Sequence, residues 1–257
     1  MTPPVLVLIA TVSMMVVIWL FSVWLRNASI VDVFWGSGFV VGAWLYFALT
    51  DTATPRKWLV VALVAVWGLR LTTHLFVRNH GKGEDYRYRA MRDQHGPRFW
   101  WISFWTVYLL QGLIMWVVGL PVWVAMRSAE PSDLTLIDGL GLAVFLAGLF
   151  FETVGDWQLT RFKANPANKG KLLTTGLWRY TRHPNYFGDA LVWWGLTLFA
   201  LATPGSVWVV ISPVMMTFLL MRVSGVALLE KRLCESKPEF RDYVQRTNAF
   251  LPWFPRG

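Results

Sequence analysis

Apolar residues in this chain fall into runs of about 20, long enough for a helix to cross a hydrocarbon core of roughly 30 Å. Seven such runs are readable, near residues 4–25, 29–50, 57–77, 101–126, 135–155, 185–203 and 205–229. Of the 257 residues, 55% are hydrophobic and 17 are Trp, more apolar side chain than one soluble core can hide. The expected fold class is therefore all-α: a polytopic membrane protein with seven transmembrane helices in a single domain, five over 1–155, then a loop, two helices and a tail over 156–257. The run from Pro3 to Leu25 lacks a basic start and a small-residue cleavage site, so it reads as a retained helix rather than a signal peptide.

Charge sets the expected orientation. Nineteen Lys/Arg fall in the first, third and fifth connections and the C-terminal tail, against three in the second and fourth, Arg56, Lys57 and Arg127. The positive-inside rule then puts the N-terminus outside and the C-terminus in the cytoplasm. The net charge of +9 thus marks orientation, and nucleic acid is not an expected partner. The single cysteine, Cys234, excludes an internal disulfide and a cysteine-based metal cluster. Lipid-facing and partner-facing helices have similar compositions here, so the sequence sets no oligomeric state.

Ionisable residues inside the runs mark candidate chemistry. A guanidinium in hydrocarbon costs several kcal/mol unless it faces a cavity or a partner, which points Arg70 and Arg222 toward a polar interior. Asp32 lies in Ile30-Val31-Asp32-Val33-Phe34-Trp35-Gly36. A desolvated carboxyl can stay protonated and donate a hydrogen bond; the same residue could equally pair with an arginine such as Arg70. The third connection carries Tyr86-Arg87-Tyr88-Arg89 on a short mixed-charge helix. That is either a solvated face or an aromatic and arginine cover for a nucleotide. Gln111 can line a cavity or make one interhelical hydrogen bond.

The longest polar interval runs from Asp156 to Trp194. It gathers Arg161, Lys163, Lys169, Lys171, Arg179 and Arg182, and closes on Arg182-His183-Pro184-Asn185-Tyr186-Phe187-Gly188-Asp189 where apolar sequence resumes. Cations, a histidine and hydrogen-bonding groups at the head of a membrane helix suit an anionic cofactor. There is no G-x-G-x-x-G unit, so side chains would have to hold a dinucleotide. Glu152 and Asp156 share a helical face, but no paired-histidine pattern accompanies them and no metal is expected. Asp156 can instead accept from an amide or a ribose hydroxyl. The tail from Leu229 to Thr247 reads as an amphipathic helix covering the basic loop, ended by Leu251-Pro252-Trp253-Phe254-Pro255.

The segment Asp156 to Trp193 resembles the C-terminal half of steroid 5α-reductases and the bacterial membrane proteins grouped with them. The resemblance is carried by Thr174-Thr175-Gly176-Leu177-Trp178-Arg179-Tyr180, then Asn185-Tyr186-Phe187-Gly188-Asp189 and Trp193, with Arg222 in the last span. It implies seven helices, NADPH as cofactor, and reduction of the carbon–carbon double bond of a 3-oxo-4-ene steroid or a similar lipidic enone. Asp156, Lys163, Lys171, Tyr180, Asn185, Asp189, Trp193 and Arg222 match the family's cofactor pocket, and Arg70, Arg182 and His183 join them as candidates. Lys163 and Lys171 stand where the family tends to carry arginine, keeping charge but losing the planar fork. Asp32 is the nearest counterpart of the family's carbonyl-polarising glutamate; Trp67 precedes Arg70 where a tyrosine would be expected, leaving Tyr86 or Tyr88 to supply the hydroxyl. Arg-His-Pro-Asn-Tyr-x-Gly with a Glu- and Arg-containing tail also resembles S-adenosylmethionine-dependent membrane methyltransferases of the isoprenylcysteine carboxyl and phospholipid type. A lipid-binding scaffold is the third reading.

Overall fold

A computed structural model describes residues 1–223 and 225–256. It is all-helical, 77% helix, with no strand among the described residues. The chain divides into two compact units, Met1–Leu134 and Thr135–Gly257.

The N-terminal unit holds α1 (Pro3–Leu25), α2 (Ile30–Val33), α3 (Trp35–Ala48), α4 (Pro55–Asn79), α5 (Tyr86–His95), α6 (Phe99–Ser103), α7 (Leu110–Val118) and α8 (Leu120–Arg127). Proline at the first position starts α1 and α4, where its missing N–H costs nothing. Apolar sequence is continuous over 29–50, yet the backbone breaks at Phe34 and leaves a four-residue α2 and a 14-residue α3. Helices α3 and α4 meet backbone to backbone: a Cβ at Gly36 would lie 2.3 Å from the Gly68 carbonyl oxygen, and one at Gly68 2.6 Å from that of Gly36. Between α6 and α7 the helix widens to π geometry over Phe104–Leu109. Trp67, Val31, Val64, Tyr108, Val118 and Val124 are fully buried in the core of this unit. Arg56 and Lys57 are buried too; the Lys57 ammonium donates to Thr52 Oγ1 (3.0 Å) and Thr50 Oγ1, closing the α3–α4 loop onto the start of α4.

The C-terminal unit holds α9 (Leu136–Ala164), α10 (Pro184–Leu201), α11 (Ile211–Phe218), α12 (Val226–Ser236) and α13 (Phe240–Arg246). A capping box between Thr135 and Asp138 starts α9. Glycines recur every seven residues on both partners of the α9–α10 pair, at 141, 148 and 155 and at 188 and 195, giving each helix a flat stripe. A Cβ on Gly188 would stand 2.4 Å from Glu152 N, and one on Gly195 2.6 Å from Phe145 N. Such close approach lets backbones pack without interposed side chains.

Among the described residues, five helical runs are long and apolar enough to cross a membrane: Pro3–Leu25, Pro55–Asn79, Tyr86–Val118, Leu136–Ala164 and Val207–Ser236. This makes the chain an integral membrane protein by length and composition. The other two expected spans correspond to the broken α2–α3 pair and to α10, whose first turns carry Asn185 and Asp189.

Candidate functional site

In the C-terminal unit the chain leaves α9 beyond Ala164, makes 3₁₀ turns at Pro166–Asn168 and Gly176–Arg179, and enters α10 at Pro184. Gly176 has φ of +63°, a left-handed conformation that glycine adopts without a Cβ penalty. Any Cβ there would strike the Gln158 side chain, whose Oε1 accepts from Leu177 N at 3.0 Å. Trp178 is buried and donates through Nε1 to the Gly155 carbonyl at 3.1 Å, so the turn is tied to α9.

Arg182 and His183 close this loop on one carboxylate. Arg182 donates Nε to Glu230 Oε1 at 2.8 Å and Nη2 to Oε2 at 2.9 Å, a two-pronged pair, and His183 Nε2 lies 2.9 Å from Oε1. The side chains are 7%, 18% and 2% exposed for Arg182, Glu230 and His183. Charge-assisted, bidentate pairs of this kind hold geometry as well as energy. Arg182 also donates to the Val244 and Thr247 carbonyls, and His183 stacks on Tyr186 with centroids 5.4 Å apart. A few residues on, Asn185 Nδ2 donates to the buried Asp156 Oδ1 at 3.1 Å.

The tail covers this loop, as its sequence leads one to expect. Asn248 O accepts from Arg182 N and Tyr180 O from Trp253 N, both at 2.9 Å, Phe250 O accepts from Thr181 Oγ1 at 2.8 Å, and the Lys237 ammonium donates to Lys171 O at 2.8 Å. Tyr243 donates to the Trp178 carbonyl, and burial pushes its phenol well above the ordinary range.

The N-terminal unit builds a separate polar cluster. Asp32 accepts from Arg87 Nη2 and from the Tyr88 hydroxyl, each at 2.6 Å, and Gln111 Nε2 donates to the same hydroxyl at 3.4 Å. Both Asp32 oxygens therefore act as acceptors, and its observed arginine partner is Arg87, on α5, rather than Arg70. The reason is geometric: α2 is one turn long and faces the polar connection. Glu84 accepts from Arg92 at 2.8 and 2.9 Å and from Ala28 N at 2.7 Å. Burial would raise the Glu84 carboxyl, but the Arg92 fork and the Ala28 N–H outweigh it and hold the group below its ordinary value.

Among the sequence-predicted residues, then, Asp156 joins Asn185, Arg182 joins His183, and Asp32 joins Tyr88. Tyr86, two positions before Tyr88 on the helix, sits at the surface. Lys163, Lys171 and Tyr180 are exposed around the loop, while Asp189 and Trp193 are buried on α10. Arg70 is half-buried on α4. Arg222 departs from the expectation of a polar interior: the last span is π-helical over Leu219–Val223, which shifts the helical register, and the side chain is exposed. Glu230 is the residue sequence reasoning misses. Its only signal is a carboxylate in the tail of a chain that carries Arg-His-Pro at the head of a membrane helix.

A family model described as a protein of unknown function (DUF1295) matches residues 18–247, most of the chain. The chain belongs to the DUF1295 family. DUF1295 is a steroid 5α-reductase-like membrane family. An uncharacterised protein of Schizosaccharomyces pombe is 27% identical over 271 residues, covering 92% of this chain and 76% of the yeast protein. The Delta(14)-sterol reductase LBR of Gallus gallus is 34% identical over 102 residues, 36% of this chain and 15% of that protein. A probable O-methyltransferase, ustE, of Ustilaginoidea virens is 43% identical over 58 residues, 23% of this chain and 20% of that protein. No solved structure matches the chain.

Proposed function

We propose that this DUF1295 protein is a membrane-embedded, NADPH-dependent reductase of the carbon–carbon double bond in 3-oxo-4-ene steroids or similar lipidic enones. The observation that carries the reading is the donor set around the head of α10. A loop presenting Arg161, Lys163, Lys169, Lys171 and Arg179 at the surface is anchored by the Arg182–Glu230–His183 knot and the Asp156–Asn185 pair. That set fits a cofactor bearing several phosphates, with Asn185, held by Asp156, proposed to meet an amide or ribose hydroxyl. Arg182 and His183 are committed to Glu230, so they position the loop rather than bind the cofactor themselves.

NADPH, when bound, supplies the hydride; the chain supplies anchorage and electrostatics. Tyr88, whose single hydroxyl proton goes to Asp32 in this structure, is the group proposed to turn that proton to the substrate carbonyl oxygen as negative charge develops there. Arg87 donates to the other Asp32 oxygen and so holds Asp32 beside Tyr88 as the resting partner of that proton. The weak likeness to a sterol reductase agrees with this chemistry.

Tyr88→Phe should lower enone-dependent consumption of NADPH about 100-fold, the scale of losing one preorganised donor, while NADPH affinity stays unchanged. Turnover at the wild-type rate would remove Tyr88 from the mechanism. The likeness to a probable O-methyltransferase favours one second reading, methyl transfer from S-adenosylmethionine at the same α10 head. S-adenosylmethionine carries no phosphate, so the basic loop would then have no ligand to match.

A further inference from the structure

A cleft of about 140 Å³ opens in the N-terminal unit at the C-terminal end of α4, lined among others by Asn27, Asn79, His80, Lys82, Ile30 and Phe76. Its side-chain chemistry is one-sided. Asn27 Oδ1 accepts from the Ser29 N–H at 3.0 Å and from the Ser29 hydroxyl, and Asn79 Oδ1 accepts from Arg78 Nε at 3.2 Å. Asn27 Oδ1 thus takes two bonds and Asn79 Oδ1 one, which leaves the NH₂ groups as the main polar atoms the two carboxamides offer. Lys82 has only donors, one of them used by the Arg78 carbonyl, and the exposed His80 ring lies 5.4 Å from Phe76.

Nearby acidic groups do not cancel this charge. Glu84 is taken by Arg92 and the Ala28 N–H, and Asp85 by Arg87 at 2.9 Å. A lining that brings the Lys82 ammonium together with two carboxamide NH₂ groups favours an oxyanion. Apolar side chains line it too: Ile30 and Phe76 border the same cleft, and Phe76 belongs to a helix long and apolar enough to cross a membrane. A ligand with a phosphate head and a hydrocarbon chain satisfies both sets of groups.

We propose that this cleft binds the phosphate head of an anionic membrane lipid. The binding needs no nicotinamide cofactor, so it stands or falls apart from the reductase reading. The test is native mass spectrometry of the full chain in detergent, titrated separately with dioleoyl phosphatidic acid, dioleoyl phosphatidylcholine and inorganic phosphate. Phosphatidic acid should be retained in preference to phosphatidylcholine, and the double variant His80→Ala/Lys82→Ala should retain about tenfold less of it, as expected for losing charge-assisted contacts. Both side chains are exposed, and an unchanged melting temperature confirms that the variant folds. Displacement of the lipid by inorganic phosphate would keep the oxyanion site and assign it to free phosphate. Equal retention of the two lipids, or undiminished phosphatidic acid on the double variant, would overturn the proposal.

Discussion

Glu230 carries more of the C-terminal unit than any residue the sequence singled out. Arg182 and His183 converge on it, both nearly inaccessible, and the segment joining them to it spans almost 50 residues. Glu230→Gln leaves a buried guanidinium without its countercharge, which should cost about 3 kcal/mol and lower the detergent melting temperature by several degrees. Glu235→Gln, on the exposed face of the same helix, should change it little. Glu84 makes a pH prediction. Its folded pKa is depressed, so the stability it contributes is present above the unfolded carboxylate value, about 4.3, and is lost as pH falls through the folded value. Melting temperatures of wild type and Glu84→Gln should therefore differ at neutral pH and converge in acid; a difference that persists at low pH would contradict the assignment. Arg182, His183 and Asn185 stand out in the sequence because polar residues crowd the head of an apolar run. Glu230 does not, because it lies among other tail charges and nothing local distinguishes it. Asp32 shows the same blindness: the sequence offers Arg70, another charge within an apolar run, whereas the partner comes from the neighbouring polar connection.

Elements depend on backbone approach as much as on hydropathy. The α9–α10 pair is built on glycines spaced by seven, and Gly188 has the least room, with Glu152 N and the Gly148 carbonyl oxygen 2.4 and 2.5 Å from the position of a Cβ. Because the obstacles are backbone atoms, Gly188→Ala must push the helices apart, a cost of about 1–3 kcal/mol or more, and should reduce the yield of folded protein. Gly139→Ala, on the same α9 with nothing within 4 Å of a Cβ, should be neutral or slightly stabilising. Comparable loss from both substitutions would show that helix packing is not the reason. Helix existence was legible from apolar run length, because burial in lipid demands it. The break at Phe34 and the π-helical stretches were not, since both preserve hydropathy while changing which face a residue occupies. Arg222 changes from an expected interior residue to an exposed one within such a stretch.

At the scale of the whole molecule, the chain is an all-helical membrane protein of two compact units and a member of a steroid 5α-reductase-like family. Run lengths point to seven spans, while among the described residues five helical runs meet length and hydropathy together; the broken α2–α3 pair and the polar head of α10 account for the difference. The polar beginning that weakens α10 as a span is also where Asn185 meets Asp156. The central claim is that the head of α10 holds a nicotinamide dinucleotide, and calorimetric titration of the detergent-purified chain with NADPH, with S-adenosylmethionine in parallel, tests it most directly. The account predicts that NADPH binds and S-adenosylmethionine does not, with NADPH affinity falling about tenfold on Asn185→Ala, the scale of one lost hydrogen bond. Binding of S-adenosylmethionine alone, or of neither compound, would contradict it.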